Sequence, residues 1–136
     1  MLEKHGKITV SVRGQKLFVR PIEPDDSEAL ERFVAAYANG GAPPKNGLLG
    51  KLVGNLVAVM AIDVSAPGKI RIESLVVATE YRRKHVGRVM IRELESLARK
   101  MERNWLVVEP VTEGNEFLRK VGFIEQGRAM MKRVGS

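Results

Sequence analysis

The sequence predicts an α/β domain, and three observations carry that prediction. An apolar run from Ile70 to Val77 reads as a strand, a strongly amphipathic helix begins near Val86, and a second apolar run, Trp105 to Val108, follows it. Strand, helix and strand in this order make a β-α-β unit, whose strands lie parallel and are joined by a right-handed crossover. At 136 residues, 44% of them hydrophobic, the chain fits one domain, 1–136, with a sizeable core.

Taken in order, the segment Met1 to His5 is polar and charged, so no secretory signal is expected there. No apolar run approaches a membrane span, which makes a cytoplasmic protein without membrane contact the default expectation. Asp25, Asp26 or Ser27 is placed to cap a helix running to about Ala38. Gly40 to Lys45 is the one linker-like patch, and Ser65-Ala66-Pro67-Gly68 reads as a tight connection between strands. In the amphipathic helix, Val86, Val89, Met90, Leu94, Leu97, Ala98 and Met101 recur at spacings of three and four. Arg88, Arg92, Glu95, Arg99 and Arg103 take the other, watered side. Met130 to Val134 reads as a last strand.

The chemistry concentrates between the Ile70 strand and that helix, at Glu80-Tyr81-Arg82-Arg83-Lys84-His85-Val86-Gly87-Arg88. A helix start leaves N–H groups without intrahelical partners and carries the positive dipole end, so it attracts phosphate oxygens. Arg82, Arg83, Lys84 and Arg88 add charge around that opening, and Gly87 lets backbone and ligand approach closely. The plainer alternative is a solvated charge run. Neither Gly-x-x-x-x-Gly-Lys-Ser/Thr nor Gly-x-Gly-x-x-Gly occurs, so no nucleoside-triphosphatase or dinucleotide signature is present.

Other chemistries find little footing. There is no cysteine, hence no disulfide and no thiol nucleophile. His5 and His85 are the only imidazoles and lie far apart, so no metal cofactor is expected. Neither histidine sits beside a candidate serine nucleophile. A net charge of +7, from 23 basic and 16 acidic residues, leaves a basic nucleic-acid-binding domain as a rival. An aromatic content of 5% argues against a stacking platform for single strands.

Leu75-x-Val77 followed by Arg82 to Arg88 resembles the pyrophosphate-binding motif of the GNAT superfamily of acetyl-CoA-dependent N-acetyltransferases, usually Gln/Arg-x-x-Gly-x-Gly/Ala. Arg82 matches its first position and Gly87 its last, while His85 stands where the middle glycine is usual. Lys16 to Asp26 resembles the superfamily's first strand and helix start. Gly50 to Gly54 resembles its next hairpin, and Phe117 to Phe123 its final helix with a Gly-Phe ending. The resemblance implies a mixed, mostly antiparallel central sheet with splayed parallel strands and flanking helices. It also implies transfer of an acetyl group from acetyl-CoA to a primary amine by direct attack in a ternary complex. The cofactor would be held by the backbone of Leu75, Val76 and Val77 and by Arg82, Arg83, Lys84, His85, Val86, Gly87 and Arg88.

For the base, superfamily members often use a glutamate on the cofactor strand. Glu73 fits, and by period-two alternation it would share the face of Leu75 and Val77. It could instead simply balance Arg71 and Lys69. Glu109, after Val107-Val108, is the reserve base, or a loop residue before Pro110. The family's leaving-group tyrosine corresponds here to Leu118, which cannot donate a proton; Tyr37 and Tyr81 are conceivable substitutes. An asparagine that contacts the cofactor arm in relatives corresponds to Val111, leaving Asn115 to contact the arm or to cap a short helix. The acceptor, a small-molecule or protein amine, is left open, as is dimerisation through the last strand. A fold of this kind that binds acyl-CoA without turnover is the alternative.

Overall fold

The computed structural model describes residues 8–12, 15–38, 41–82, 85–109 and 115–135. Eight strands form one sheet: β1 (Ile8–Val12), β2 (Gln15–Pro21), β3 (Gly47–Leu52), β4 (Asn55–Asp63), β5 (Lys69–Val77), β6 (Trp105–Val108), β7 (Ile124–Gln126) and β8 (Ala129–Arg133). Their order across the sheet is β1-β2-β3-β4-β5-β6-β8-β7. Every pairing is antiparallel except β5 with β6, so the sheet is mixed and mostly antiparallel, as expected. Among the described residues three α-helices flank it: α1 (Ser27–Tyr37), α2 (Val86–Lys100) and α3 (Asn115–Lys120).

The start of α1 is fixed by a fork of hydrogen bonds rather than by a simple cap. Arg20 donates through both terminal nitrogens to Asp26, at 2.9 and 2.7 Å, and Asp26 also accepts the Glu23 N–H at 2.7 Å. The guanidinium beside the buried Asp26 holds its carboxyl below the usual carboxylate range. Asp26 thus ties β2 to the turn ahead of α1 and makes no cap bond to α1 itself, where the sequence had offered it as a cap. The β3–β4 hairpin turns on Val53 and Gly54, with φ of +49° and +80°. Positive φ at both positions matches the right-handed strand twist; Gly54 adopts it freely and Val53 under steric load.

The two larger helices cover opposite faces. Directly paired residues share a face, so Val59 with Val76 and Ala61 with Ser74 lie on one side, and Met60 with Leu75 and Ala58 with Val77 on the other. Phe33 and Val34 of α1 meet the first set. Met90 of α2 meets the second, because a Cβ at Gly50 would lie 3.3 Å from its sulfur and 3.7 Å from Ala58. The α2 core stripe of Val86, Val89, Met90, Leu94 and Ala98 is buried as its periodicity predicts, together with Ile91 and Glu93. The helix stops at Lys100, short of Arg103. That side chain does not face water: one guanidinium nitrogen donates to the carbonyls of Val64, Ala66 and Lys69 at 2.9, 2.6 and 3.0 Å.

Candidate active site

The basic turn and the helix behind it lie at the carboxyl end of β5. A 3-10 turn, Thr79–Tyr81, leads to Arg82, and α2 opens after His85. His85 has φ +67° and ψ +10°, the left-handed conformation that glycine adopts without cost. A residue with a side chain thus holds here, under strain, a conformation that favours glycine. Its side chain is exposed. The first intrahelical bond runs from the Val89 N–H to the His85 carbonyl at 3.1 Å, so the N–H groups ahead of it lack intrahelical acceptors. Val86 is buried and can offer a ligand only its backbone, whereas Arg88 is exposed. Arg82 donates through Nε to the Val77 carbonyl at 3.3 Å, tying the turn to the end of β5. Arg83 and Lys84 lie outside the described residues.

Gly87 also makes room for a neighbouring aromatic ring. A Cβ there would lie 3.1 Å from Cζ of Phe117 and 3.7 Å from Cδ2 of Leu75. The missing side chain therefore seats the α3 aromatic ring against the first turn of α2. Phe117 stays partly exposed beside the turn.

The strand before the turn is irregular in two ways that matter. First, β5 pairs with β6 only at Lys69–Trp105, Ile70–Leu106 and Arg71–Val107. Beyond that point Leu75, Val76 and Val77 keep their β4 partners on one edge and have no β6 partner on the other. Among the described residues no strand pairs with that edge of Leu75, Val76 and Val77, and the Val77 carbonyl accepts from Arg82. Second, the register with β4 passes from Ala61–Ser74 to Ile62–Ile72, which leaves Glu73 as an extra residue, a β-bulge. The bulge corrects the parity expected for Glu73. It lines a groove with Ser74 and Val76, not the face of Leu75 and Val77.

This groove, of 320 Å³, lies between α1 and the sheet. Phe33, Val34, Pro44, Val59 and Val76 give it apolar walls, and Glu73 and Ser74 give it a polar end. Arg71 bridges two carboxylates there through one nitrogen, Asp63 at 2.9 Å and Glu73 at 3.3 Å. Bonds from Ser65 and then from Arg71 hold the Asp63 carboxyl down to about 2. Asp63 is thus the committed partner of Arg71. An exposed pair such as Arg71–Glu73 contributes about 0–1 kcal/mol, which leaves the Glu73 carboxylate free to turn to an incoming ammonium. Glu73 therefore balances Arg71, as its plainer reading had it, while standing at the groove's polar end.

Glu109 is exposed, one residue past the end of β6, and does not line this groove. Leu118 is partly buried against the core. Tyr37 donates to Glu80 at 3.2 Å, and Tyr81 packs on the core, so both tyrosines are engaged in structure. Asn115 opens α3, with its side chain outside the described residues, as is Val111. Among the described residues no group of three His, Cys, Asp or Glu could hold a metal, and no helix is long and apolar enough to cross a membrane.

Sequence reasoning missed the groove, Ser74 within it, and the Asp63–Arg71 pair. The pair was within reach, since a connection of five residues joins β4 to β5 and sets Asp63 across from Arg71. It also missed β1, although Ile8-Thr9-Val10-Ser11-Val12 alternates apolar and polar residues.

Comparison with known proteins agrees with this geometry. The sequence profile described as the Acetyltransferase (GNAT) family matches residues 13–123. No curated protein matches the chain. Among solved structures, the GNAT domain of S. lividans PAT superposes with a TM-score of 0.77 at 16% identity, covering 98% of this chain and 99% of that one. The ribosomal-protein-S18-alanine N-acetyltransferase of Escherichia coli gives 0.70 at 15% identity, over 88% and 95%. A GNAT family acetyltransferase from Brucella melitensis, solved in complex with acetyl-CoA, gives 0.68 at 15% identity, over 88% and 89%. The free edge of β5, the N–H groups at the α2 start and the exposed Arg82 and Arg88 all suit that donor. With most of its length matched by the family profile, the chain belongs to the GNAT acetyltransferase family, which uses acetyl-CoA.

Proposed function

We propose that this chain, acting as one domain, is an N-acetyltransferase in which a primary amine attacks the acetyl group directly within a ternary complex. The observation that carries this reading is the double service of β5. Its edge beyond Arg71 is free for the donor, while Glu73 and Ser74 of the same strand reach the groove beside α1. Donor and acceptor would therefore meet across one strand.

Acetyl-CoA supplies an activated thioester. The chain's own residues do the rest. Arg82, Arg88 and the N–H groups opening α2 bind phosphate oxygens, and the free N–H groups of β5 orient the acyl arm and its carbonyl. The apolar walls around Phe33 and Val59 strip water from the amine, and Glu73 takes its proton, directly or through a water molecule. With Leu118 in the place of a tyrosine, solvent protonates the departing thiolate, which its pKa of about 8.5 permits.

The test is Glu73→Gln. Across a panel of small amines and peptides, kcat/KM should fall by about 100-fold or more, with acetyl-CoA affinity by calorimetry held within about twofold. Undiminished turnover in this variant would remove Glu73 from the mechanism. Acetyl-CoA binding without turnover on any amine would make the protein an acyl-CoA binder.

A further inference from the structure

We infer that the groove between α1 and the sheet selects a small apolar amine that carries no second charge; this rests on the proposed acetyltransferase reading. Glu73 and Ser74 are the only polar side chains among the described residues that line it. The remaining walls are hydrocarbon. Phe33 and Val34 come from α1, Val59 and Val76 from the sheet, and Ala38 and Pro44 from the end of α1 and the segment beyond it.

Charge decides what enters. A protonated amine can set its ammonium beside Glu73, whereas a second ammonium on the same molecule would lie against apolar walls without a counter-ion. An amino acid fares no better, because its carboxylate would stand next to that of Glu73. The neighbouring cation, Arg71, is already shared between Asp63 and Glu73 and does not line the groove. The hydroxyls of an amino sugar would lose water and find only Glu73 and Ser74 as side-chain partners among the described residues. Size narrows the class further. The groove holds 320 Å³, near the lower limit of about 300 Å³ for small-molecule sites. Since an apolar cavity of about 150 Å³ accepts benzene, there is room for one ring with a short aminoalkyl chain, or for an alkyl chain of similar bulk. Ala38, Ala42 and Ala61 keep that room open.

The test compares hexylamine with cadaverine, a diamine of equal length in which an ammonium replaces the terminal methyl, and adds phenethylamine, glycine and glucosamine. With acetyl-CoA as donor, kcat/KM for hexylamine and phenethylamine should exceed that for each of the other three by about tenfold or more. Ala38→Glu, and separately Ala42→Glu at an exposed position, put a carboxylate on the apolar wall. Either variant should lower the preference for hexylamine over cadaverine by about tenfold, with acetyl-CoA affinity by calorimetry reporting that the chain is folded. Wild-type turnover that favours cadaverine, glycine or glucosamine, or a hexylamine preference untouched in both variants, overturns the inference and leaves the acetyltransferase reading standing. Faster transfer to a Phe-Ala-Ala peptide than to any small amine overturns it in favour of a protein N-terminus. Acetyl-CoA bound but transferred to none of these acceptors overturns the inference as well, and acetyl-CoA left unbound overturns both readings.

Discussion

Glu93 is the most deeply buried charged residue among the described residues, and that burial makes its carboxyl sensitive to pH. It sits on the buried side of α2 at 2% accessibility, and its Oε2 has no hydrogen-bond partner. Burial raises its carboxyl to about 7, only partly offset by Lys100. The folded state therefore binds a proton that the unfolded chain gives up near 4.5. Stability from this group is fully present below pH 4.5 and is lost as pH rises through about 7. The loss amounts to about 3 kcal/mol. Urea midpoints should fall between pH 5 and pH 8, and Glu93→Gln should flatten that dependence. His85 carries a different load, the left-handed backbone of a side-chain-bearing residue. His85→Gly should relieve it, raising the melting temperature by roughly 2–4 °C, while leaving acetyl-CoA affinity unchanged or tighter in calorimetry.

At the scale of elements, the loop between β4 and β5 depends on a residue beyond the end of α2. Arg103→Ala removes the donor shared by three carbonyls and should cost about 2 kcal/mol in urea unfolding, with faster hydrogen exchange in segment 64–69. That dependence was not legible in the sequence, where Arg103 continued the watered stripe of α2. Periodicity reports which face a helical residue takes, and it has no authority once the helix has ended. The β-α-β unit, by contrast, was legible from Ile70 to Val108, because long amphipathic patterns depend on burial alone. The Glu73 bulge was not, since an extra residue in a strand leaves composition and alternation nearly unchanged and is fixed by the partner's register. Glu73 was thus readable as a carboxylate on this strand, while the face it takes was not.

Among the described residues the fold is a sheet covered on its two faces by α1 and α2, with a parting between β5 and β6. A ligand that fills the parting binds only the folded chain, so it must stabilise that chain by mass action. At a hundredfold excess over Kd, acetyl-CoA should add about 2.7 kcal/mol. For a chain of this size that is roughly 10 °C in a thermal melt, and the absence of any shift would contradict donor binding. The donor side was legible at this scale because charge, helix start and strand end fall together in one stretch of sequence. The groove proposed for the acceptor was not: its walls come from α1, β4 and β5 and meet only when the sheet is assembled.

The free edge of β5 offers a donor main-chain atoms, which are the same whatever side chains the strand carries. On the proposed reading, the Ser74 and Val76 side chains, facing the groove, are released from donor binding and answer only to the amine. A chain built in this way can exchange one acceptor for another by substitutions at a few groove positions, with its hold on the acetyl source untouched. If β5 divides its labour in the way proposed, acceptor choice becomes the evolvable half of the reaction.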